Sequence, residues 1–426
     1  MKRNVKSNQQ VDSIEKRKKY EYNILESKVS ELNITIKLKR TFMETPQKAW
    51  IVCLLLLYGG TIGAFANGTH APTAEDSINK ITSTRPDSHA PLGVMGDHAH
   101  GAGELMFSYR FMGMTMDGLQ DGTDAISTEA ALHDYAMVPI TMQMQMQMFG
   151  AMFAPHDRIT LMAMTSYRRN LMEMEGAHLH GSGGHDHAVG HHEMESAGLG
   201  DLRLSALIPL HNTSNADLIL NAGVSIPTGS ITVEGSQGGS EVTVLPYPMQ
   251  LGSGSFELRP GATFAATHGS WSYGLQASGA IRVNKNSQNY RLAPTIGSTL
   301  WGTRRFNDWL SVSLRGSYET WGNITTFTEH TETESHEHTA HSHAAPAGIT
   351  QSIYMSSTMD PNLQGGTRGS VSAGMNLIFP DRLSGILAGQ RFAVEFQMPV
   401  YQNLDGPQMP LAWTLIAGWQ YAFQVW

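Results

Sequence analysis

The chain has 426 residues, of which 41% are hydrophobic and 15% charged, with a formal net charge of −8 at pH 7. The charged fraction is well below the roughly 25% of an average soluble domain, which argues against an ordinary cytoplasmic enzyme. Its one cysteine, Cys53, excludes a disulfide framework and any metal site built from several thiolates. The acidic balance argues against a nucleic-acid partner.

The N-terminus is typical of an exported protein. Residues 1–48 carry 12 Lys and Arg against 6 Asp and Glu, and residues 50–66 contain no charge. With the small residues Ala64 and Ala66 at its end, this pattern predicts a secretory signal cleaved after Ala66; a retained anchor helix is the alternative. Residues 1–42 are interpreted as an over-extended reading frame that precedes a start at Met43. The remainder carries 17 Lys and Arg against 31 Asp and Glu, which suits an oxidising periplasm or an outer membrane.

From Glu104 onward, apolar residues alternate with polar ones, as in strands that have one apolar and one polar face. At the C-terminus, one face collects the apolar residues Trp413, Leu415, Ala417, Trp419, Tyr421, Phe423 and Val425. The alternation predicts strands near residues 104–116, 135–152, 158–172, 199–211, 216–226, 253–267, 271–283, 291–303, 309–321, 366–379, 389–400 and 411–425. Short turns are expected at residues 154–157, 212–215, 268–270 and 304–308, and long connections at residues 117–134, 173–198, 227–252 and 322–365.

Strands of this kind fit either a soluble β-sandwich or a membrane barrel with a polar interior. Segments of about ten residues, alternately short and long connections, and aromatic residues near strand ends favour the barrel. The predicted fold is therefore all-β, a transmembrane antiparallel up-and-down β-barrel of about 12 strands with long extracellular loops. The predicted organisation is an N-terminal extension and signal peptide (1–66), a periplasmic N-terminal segment (67–103) and the outer-membrane barrel (104–426). Asp97, His98 and His100 could fold into the periplasmic mouth.

Several motifs resemble a known family. They are APLGVMGDHAH (90–100), ELMFSYRFMGMTMDGLQDGT (104–123), FGAMFAPHDRITLMAM (149–164), GLGDLRL (198–204), SIPTGSI (225–231), LPYPMQLGSGSFELRPG (245–261) and PVYQNLDGPQM (399–409). The chain is similar over residues 90–426 to bacterial outer-membrane proteins named for the meta-pathway of phenol degradation, often called transporters. The resemblance implies an outer-membrane barrel, distantly similar to channels for hydrophobic compounds. The His-rich inserts depart from the family's pattern.

Two predicted extracellular loops contain 11 of the 19 histidines, next to several carboxylates. Neutral imidazoles beside carboxylates are competent ligands for zinc, copper(II) or nickel, and flexible spacing allows several coordination geometries. The candidate metal ligands are His178, His180, His185, His187, His191 and His192 in the first loop, and His330, His336, His338, His341 and His343 in the second. The alternative is a solvated polar loop without bound metal.

Methionine is concentrated in the first half of the predicted barrel. Met106, Met112, Met114 and Met116 share a face with Arg110, and Met162 and Met164 share one with Arg168, so these methionines are predicted to line the lumen. Met142, Met144, Met146 and Met148 alternate with glutamines and are predicted to face lipid. Methionine is most often a filler of core gaps, but a soft-metal path or a pliable path for hydrophobic solutes are the functional alternatives.

Opposite charges recur on the polar face of the predicted strands. A closed barrel would bring them together inside the lumen, which would narrow the pore and argues against a wide porin. The predicted charged residues of the lumen are Arg110, Arg203, Glu257, Arg259, Arg315, Glu319, Arg391 and Glu395, with Asp201 beside Arg203.

The sequence thus predicts an outer-membrane channel or transporter for a small solute, either a hydrophobic or aromatic compound or a metal ion. Its partners would be outer-membrane lipid and the solute, with no nucleic acid, and no cofactor is required beyond zinc or copper at the His-rich loops. The sequence does not indicate an oligomeric state. The alternative is a surface barrel that binds copper or zinc without an open pore. A hydrolase is a minor alternative, since the chain has no G-x-S-x-G motif.

Overall fold

The computed structural model describes residues 85–177, 189–213, 215–236, 242–327, 352, 354–379 and 388–426. The predicted signal peptide, the predicted start at Met43 and nine of the eleven candidate histidines of the loops lie outside these residues. Every described residue belongs to one compact unit.

The described chain forms a closed barrel of twelve antiparallel strands, and the first and last strands pair with each other. The strands are β1 (Glu104–Asp117), β2 (Met137–His156), β3 (Ile159–Ala177), β4 (Val189–Leu199 and Leu202–Asn212), β5 (Ala216–Ile226), β6 (Glu257–His268), β7 (Trp271–Arg282), β8 (Thr295–Arg305), β9 (Leu310–Trp321), β10 (Gly366–Ile378), β11 (Arg391–Gln408) and β12 (Leu411–Gln424). Each strand pairs with the next one along the chain, so the predicted fold class and strand number are confirmed.

The strands of the first hairpins and β11 are longer than predicted, because their ends extend past the region where apolar and polar residues alternate. Residues 173–198 were predicted to be a long loop, whereas most of them continue β3 and β4. β4 is interrupted at Gly200 and Asp201, where Asp201 accepts hydrogen bonds from the backbone N–H groups of Gly229 and Ser253. This contact ties the break to the loop between β5 and β6.

The outer face of the barrel is apolar and the inner face is polar. Along β9, Leu314 is 69% exposed, whereas its neighbours Ser313 and Arg315 are buried. Phe396 on β11 and Leu275 on β7 are also exposed, as residues that contact lipid would be. A closed sheet leaves no unpaired edge, which allows strands to cross a bilayer. The helices in the described part of the chain are too short and too polar to cross a membrane.

Connections differ between the two ends of the barrel. One end, called here the short-turn end, has tight turns such as the one at Gly269 and Ser270 between β6 and β7. The opposite end, called the long-loop end, carries the helix Thr128–Ala131 and a small hairpin of Glu234–Ser236 with Val242–Val244. At that end, a buried cluster consists of Met137, Met142, Met172, Met174, Met194, Leu245 and Met249.

Candidate functional site in the barrel lumen

The residues immediately before β1 lie inside the barrel. We call residues 85–103 the lumen segment. Near its start, the Arg85 guanidinium donates to the Gly269 carbonyl oxygen at 2.9 Å, and at its end the Gly103 N–H donates to the Ala154 carbonyl oxygen at 2.8 Å. Both contacts are at the short-turn end. Between them, Leu92 is buried against Ile416 of β12, so the segment enters the lumen, turns and leaves at the same end.

The sequence of the lumen segment explains its turn. Pro91 fixes the backbone, and the Val94 N–H donates to the Pro91 carbonyl oxygen at 2.9 Å. Gly93 lies at the apex of the turn, where a Cβ atom would be 2.5 Å from Arg315 Nη2 and 3.2 Å from Glu395 Oε1. A glycine therefore allows the backbone to approach this ion pair, and the Gly93 N–H donates to Glu395 Oε2 at 2.7 Å.

Side chains from several strands hold the lumen segment by its backbone. Arg391 of β11 donates to the Ala90 carbonyl oxygen at 2.8 Å, and Gln276 of β7 donates to the Met95 carbonyl oxygen at 2.8 Å. Ser311 Oγ of β9 donates to the Pro86 carbonyl oxygen at 2.7 Å, and Thr160 Oγ1 of β3 accepts from the His100 N–H at 2.9 Å. These contacts come from distant parts of the barrel wall, so the segment crosses the lumen. Residues 67–103 were predicted to form a periplasmic segment whose Asp97, His98 and His100 could fold into the periplasmic mouth. The described residues of that segment, 85–103, lie inside the barrel instead.

Of the predicted charge pairs, Glu257 and Arg259 do meet along one strand, whereas Arg315 and Glu395 find partners on other strands. Arg315 contacts Glu395 with nitrogen–oxygen distances of 2.6 and 2.7 Å, and both side chains are buried. Glu257 contacts both Arg259 at 2.9 Å and Arg282 at 2.7 Å. The antiparallel register places Glu257 directly opposite Arg282 on the adjacent strand, whereas Arg315 reaches Glu395 across the intervening strand β10.

Other predicted charges have different partners from those expected. Arg391 is hydrogen-bonded to Asn376 and Gln420 as well as to Ala90, not to Glu395. Glu319 is exposed and lies opposite Arg368 in the register of β9 and β10. Arg203 is half-buried on the same side of the wall as Glu257 and Arg259. The side chain of Arg110 is buried and donates to the Met95 sulfur.

The methionines of β2 correct the sequence prediction. Met142, Met144, Met146 and Met148 were predicted to face lipid, but Met142 is only 1% exposed and the glutamines between them are exposed. In register, Met142, Met144 and Met146 lie opposite Met116, Met114 and Met112 of β1, so both rows face inward. The alternation shows which residues share a face but not which face is inner. This half of β2 lies beyond the apolar band, so glutamine is tolerated outside.

A thioether-lined cavity lies beside the lumen segment. Its free volume is about 10 Å³, which is room for about one water molecule, and it is lined by Met95, Met106, Met152, Met162 and Met164 together with Asp97, His98, Arg110 and Gln420. Three of the predicted lumen methionines, Met106, Met162 and Met164, are in this lining. Met112 packs on the cluster around Leu92, and Met116 packs on the methionine cluster at the long-loop end.

Four ionisable side chains form a cluster in the lumen segment. One donor atom each of His89, Asp97 and His98 lies within 4.8 Å of the other two. His98 Nδ1 is 2.9 Å from Asp97 Oδ1, and Asp97 Oδ2 accepts from the Ala90 N–H at 2.9 Å. The His98 ring also contacts the ring of His100, whose centroid is 4.8 Å away. The cluster joins the two arms of the turn, since His89 precedes the apex and Asp97 and His98 follow it.

Burial controls the protonation of this cluster. Burial, with the nearby Arg391 charge, holds the pKa of His89 well below its usual value, and burial also lowers the pKa of His100. For Asp97, burial pushes the pKa up, but the charge and hydrogen bond of His98 more than offset this, so the pKa is lowered. Burial therefore favours the neutral imidazoles of His89 and His100 beside the Asp97 carboxylate.

The sequence identified part of this site. It singled out Asp97, His98 and His100, but His89 was missed, because only the turn at Pro91–Gly93 brings it back to the Asp97 side. Of the candidate loop histidines, His191 and His192 lie on β4, where His191 is exposed and His192 half-buried. The others lie outside the described residues.

Comparisons with known proteins support the fold. No protein-family model matches the sequence, and no curated protein matches it. An outer-membrane channel from Pseudomonas putida F1 is similar in structure, with a TM-score of 0.50 and 12% identity over 79% of this chain and 100% of that one. A Pseudomonas aeruginosa FadL homologue gives a TM-score of 0.36 and 9% identity over 80% of this chain and 97% of that one. The first similarity agrees with the apolar outer face, and the chain has the fold of an outer-membrane β-barrel.

Proposed function

We propose that this protein is an outer-membrane channel for a small, largely apolar solute, and that the lumen segment controls the opening of the channel. One observation carries the proposal. The lumen segment crosses the barrel interior and is held there by hydrogen bonds, such as those from Gln276 and Ser311, and by two small, separate apolar clusters around Val94 and Leu92. A segment needed only to fill the barrel would be expected to pack through a continuous apolar core.

The solute class is proposed from the lining of the lumen. Thioethers surround the cavity beside Met95, and a second methionine cluster lies at the long-loop end. Methionine side chains are flexible and polarisable, so they adapt to apolar solutes of different shape. The resemblance to the phenol meta-pathway family implies a similar solute class, and the similar structure from Pseudomonas putida F1 is that of an outer-membrane channel.

A barrel that binds metal without an open pore is the second candidate. The lumen segment crosses the interior, and ion pairs lie next to its apex. Both features obstruct the pore and therefore favour this candidate. In that case, zinc or copper bound at the His-rich loops would be the function and no solute would pass. Binding of these metals to the loops is compatible with either candidate.

Conductance in planar bilayers separates the two candidates. We expect deletion of residues 86–99 to raise single-channel conductance several-fold and to speed the uptake of a small aromatic compound into proteoliposomes. The matched control deletes residues 330–343, which removes the same number of residues from a predicted external loop, and should leave conductance unchanged. Heat-dependent mobility on gels verifies that each barrel is folded. Equal, negligible conductance of the deleted and intact barrels would contradict the channel and favour the second candidate.

A further inference from the structure

The turn of the lumen segment brings His89 on one arm next to Asp97 and His98, which follow eight and nine positions later on the other arm. His89 lies on the arm that enters the lumen, and Asp97 and His98 lie on the arm that leaves it. The Ala90 N–H and the Asp97 carboxylate already join the arms at 2.9 Å. The rings of His89 and His98 are in edge contact, with centroids 4.6 Å apart. The turn thus brings these groups together, and the barrel wall holds both arms through Arg391 and Gln276.

The imidazoles of this cluster have coordination capacity that the protein does not use. His89 Nδ1, His98 Nε2 and His100 Nε2 are buried, and within the described part of the chain none of these nitrogens has a hydrogen-bond partner. Buried polar atoms without a partner are uncommon and destabilising, and a bound ion or water is one of the usual reasons for them. The second ring nitrogen of His98 and of His100 lies next to a carboxylate. His98 Nδ1 is 2.9 Å from Asp97, and His100 Nδ1 is 3.0 Å from Glu104.

We infer that His89, Asp97 and His98 bind one divalent transition-metal ion of the zinc type inside the barrel. Two imidazoles and a carboxylate are a ligand set that zinc and copper(II) accept, whereas magnesium and calcium prefer oxygen ligands alone. A tetrahedral zinc site with bonds of about 2.1 Å places its donor atoms roughly 3.4 Å apart. The donor atoms of His89, Asp97 and His98 lie up to 4.8 Å apart, so these side chains must rotate toward one another to bind zinc. His100 is the nearest further imidazole for the fourth position.

The surrounding charges are compatible with a bound cation. Arg391 and Arg110 are close to the cluster, but Arg391 is engaged by Asn376, Gln420 and the Ala90 carbonyl oxygen. Asp97 lies within the site, and Glu104 faces it through His100. A carboxylate on the far nitrogen of a histidine fixes the ring and increases its basicity toward a metal, as it does around known zinc ions.

The bound ion would join the two arms of the lumen segment and hold the segment in the lumen. This role goes beyond the proposed channel and does not depend on it, because a metal can bind here whether or not a solute passes. Conductance tests the channel, and metal stoichiometry tests the site.

The test uses the full chain with the eleven histidines of the two His-rich loops replaced by asparagine, so that loop binding does not contribute. Zinc is titrated in competition with a chromophoric chelator. We expect one bound equivalent, and we expect Asp97→Asn and His98→Gln each to weaken binding at least about tenfold, the scale seen when a ligand shell is disturbed. His268→Gln, which changes an exposed histidine at the end of β6, is the matched control. This variant should bind zinc as tightly as the loop-substituted protein does.

Zinc-edge anomalous diffraction from crystals of the unsubstituted protein gives an independent result if a variant does not fold. A peak between His89, Asp97 and His98 supports the site, and peaks only elsewhere overturn it. Absence of a bound equivalent in the loop-substituted background also overturns it, as does binding that Asp97→Asn and His98→Gln both leave unchanged.

Discussion

Glu395 is the residue on which the apex of the lumen segment depends. Its carboxylate accepts from the Gly93 N–H at 2.7 Å and pairs with Arg315 at 2.6 Å, and the side chain is only 1% exposed. Gln397, two residues along β11, accepts from the same guanidinium at 3.0 Å. A single carboxylate thus neutralises a buried cation and also holds the backbone of the segment.

Removing that carboxylate should destabilise the barrel. We expect Glu395→Ala to lower the free energy of unfolding by about 3–5 kcal/mol, because Arg315 is left buried without its counter-charge. Urea titration of the barrel in lipid vesicles measures the change. Glu195→Ala is the control, since the Glu195–Arg169 pair is about half exposed on both sides and should contribute nothing measurable. Equal effects of the two substitutions would show that the Arg315 pair is screened by water in the lumen.

At the scale of elements, the lumen segment fits closely against the wall at its apex. We expect Gly93→Val to displace the apex, since the new Cβ would be 2.5 Å from Arg315 Nη2, and therefore to raise single-channel conductance. Gly113→Val is the control, because on β1 its Cβ would meet nothing closer than the Phe111 ring at 3.5 Å. An unchanged conductance for Gly93→Val, in a barrel that still folds, would indicate that the apex does not limit passage.

The sequence predicted elements better than it predicted their contacts. Alternation located all twelve strands, because each strand has lipid on one side and the lumen on the other. It failed for Met142–Met148, since the outer side of β2 becomes polar where the strand leaves the apolar band. Residues 85–103 have no such alternation, so their position inside the barrel depends on contacts with strands up to 300 residues away, such as Arg391 with Ala90. His89 could be assigned to the cluster only with that position known.

At the scale of the whole molecule, the apolar outer face determines where the barrel can fold. We expect Leu314→Arg, near the middle of β9 and 69% exposed, to cost about 2–4 kcal/mol of stability in lipid vesicles, the range for arginine near the bilayer centre. Val242→Arg is the control, because Val242 is 66% exposed but belongs to the small hairpin at the long-loop end. Urea titration measures both. If Val242→Arg were as costly as Leu314→Arg, the position assigned to the apolar band would be wrong.

The lumen segment continues directly into β1, so the closure of this barrel is part of the same polypeptide. A separate inhibitor would be lost by dilution once it left the lumen. Here the short tether keeps the local concentration of the segment at its binding site on the order of millimolar, whatever the abundance of the protein. In the proposed channel, opening would therefore be a unimolecular event that each molecule reverses by itself. The fraction of open barrels would depend on what holds the two arms together and on what the lumen contains, and not on encounter with a second protein.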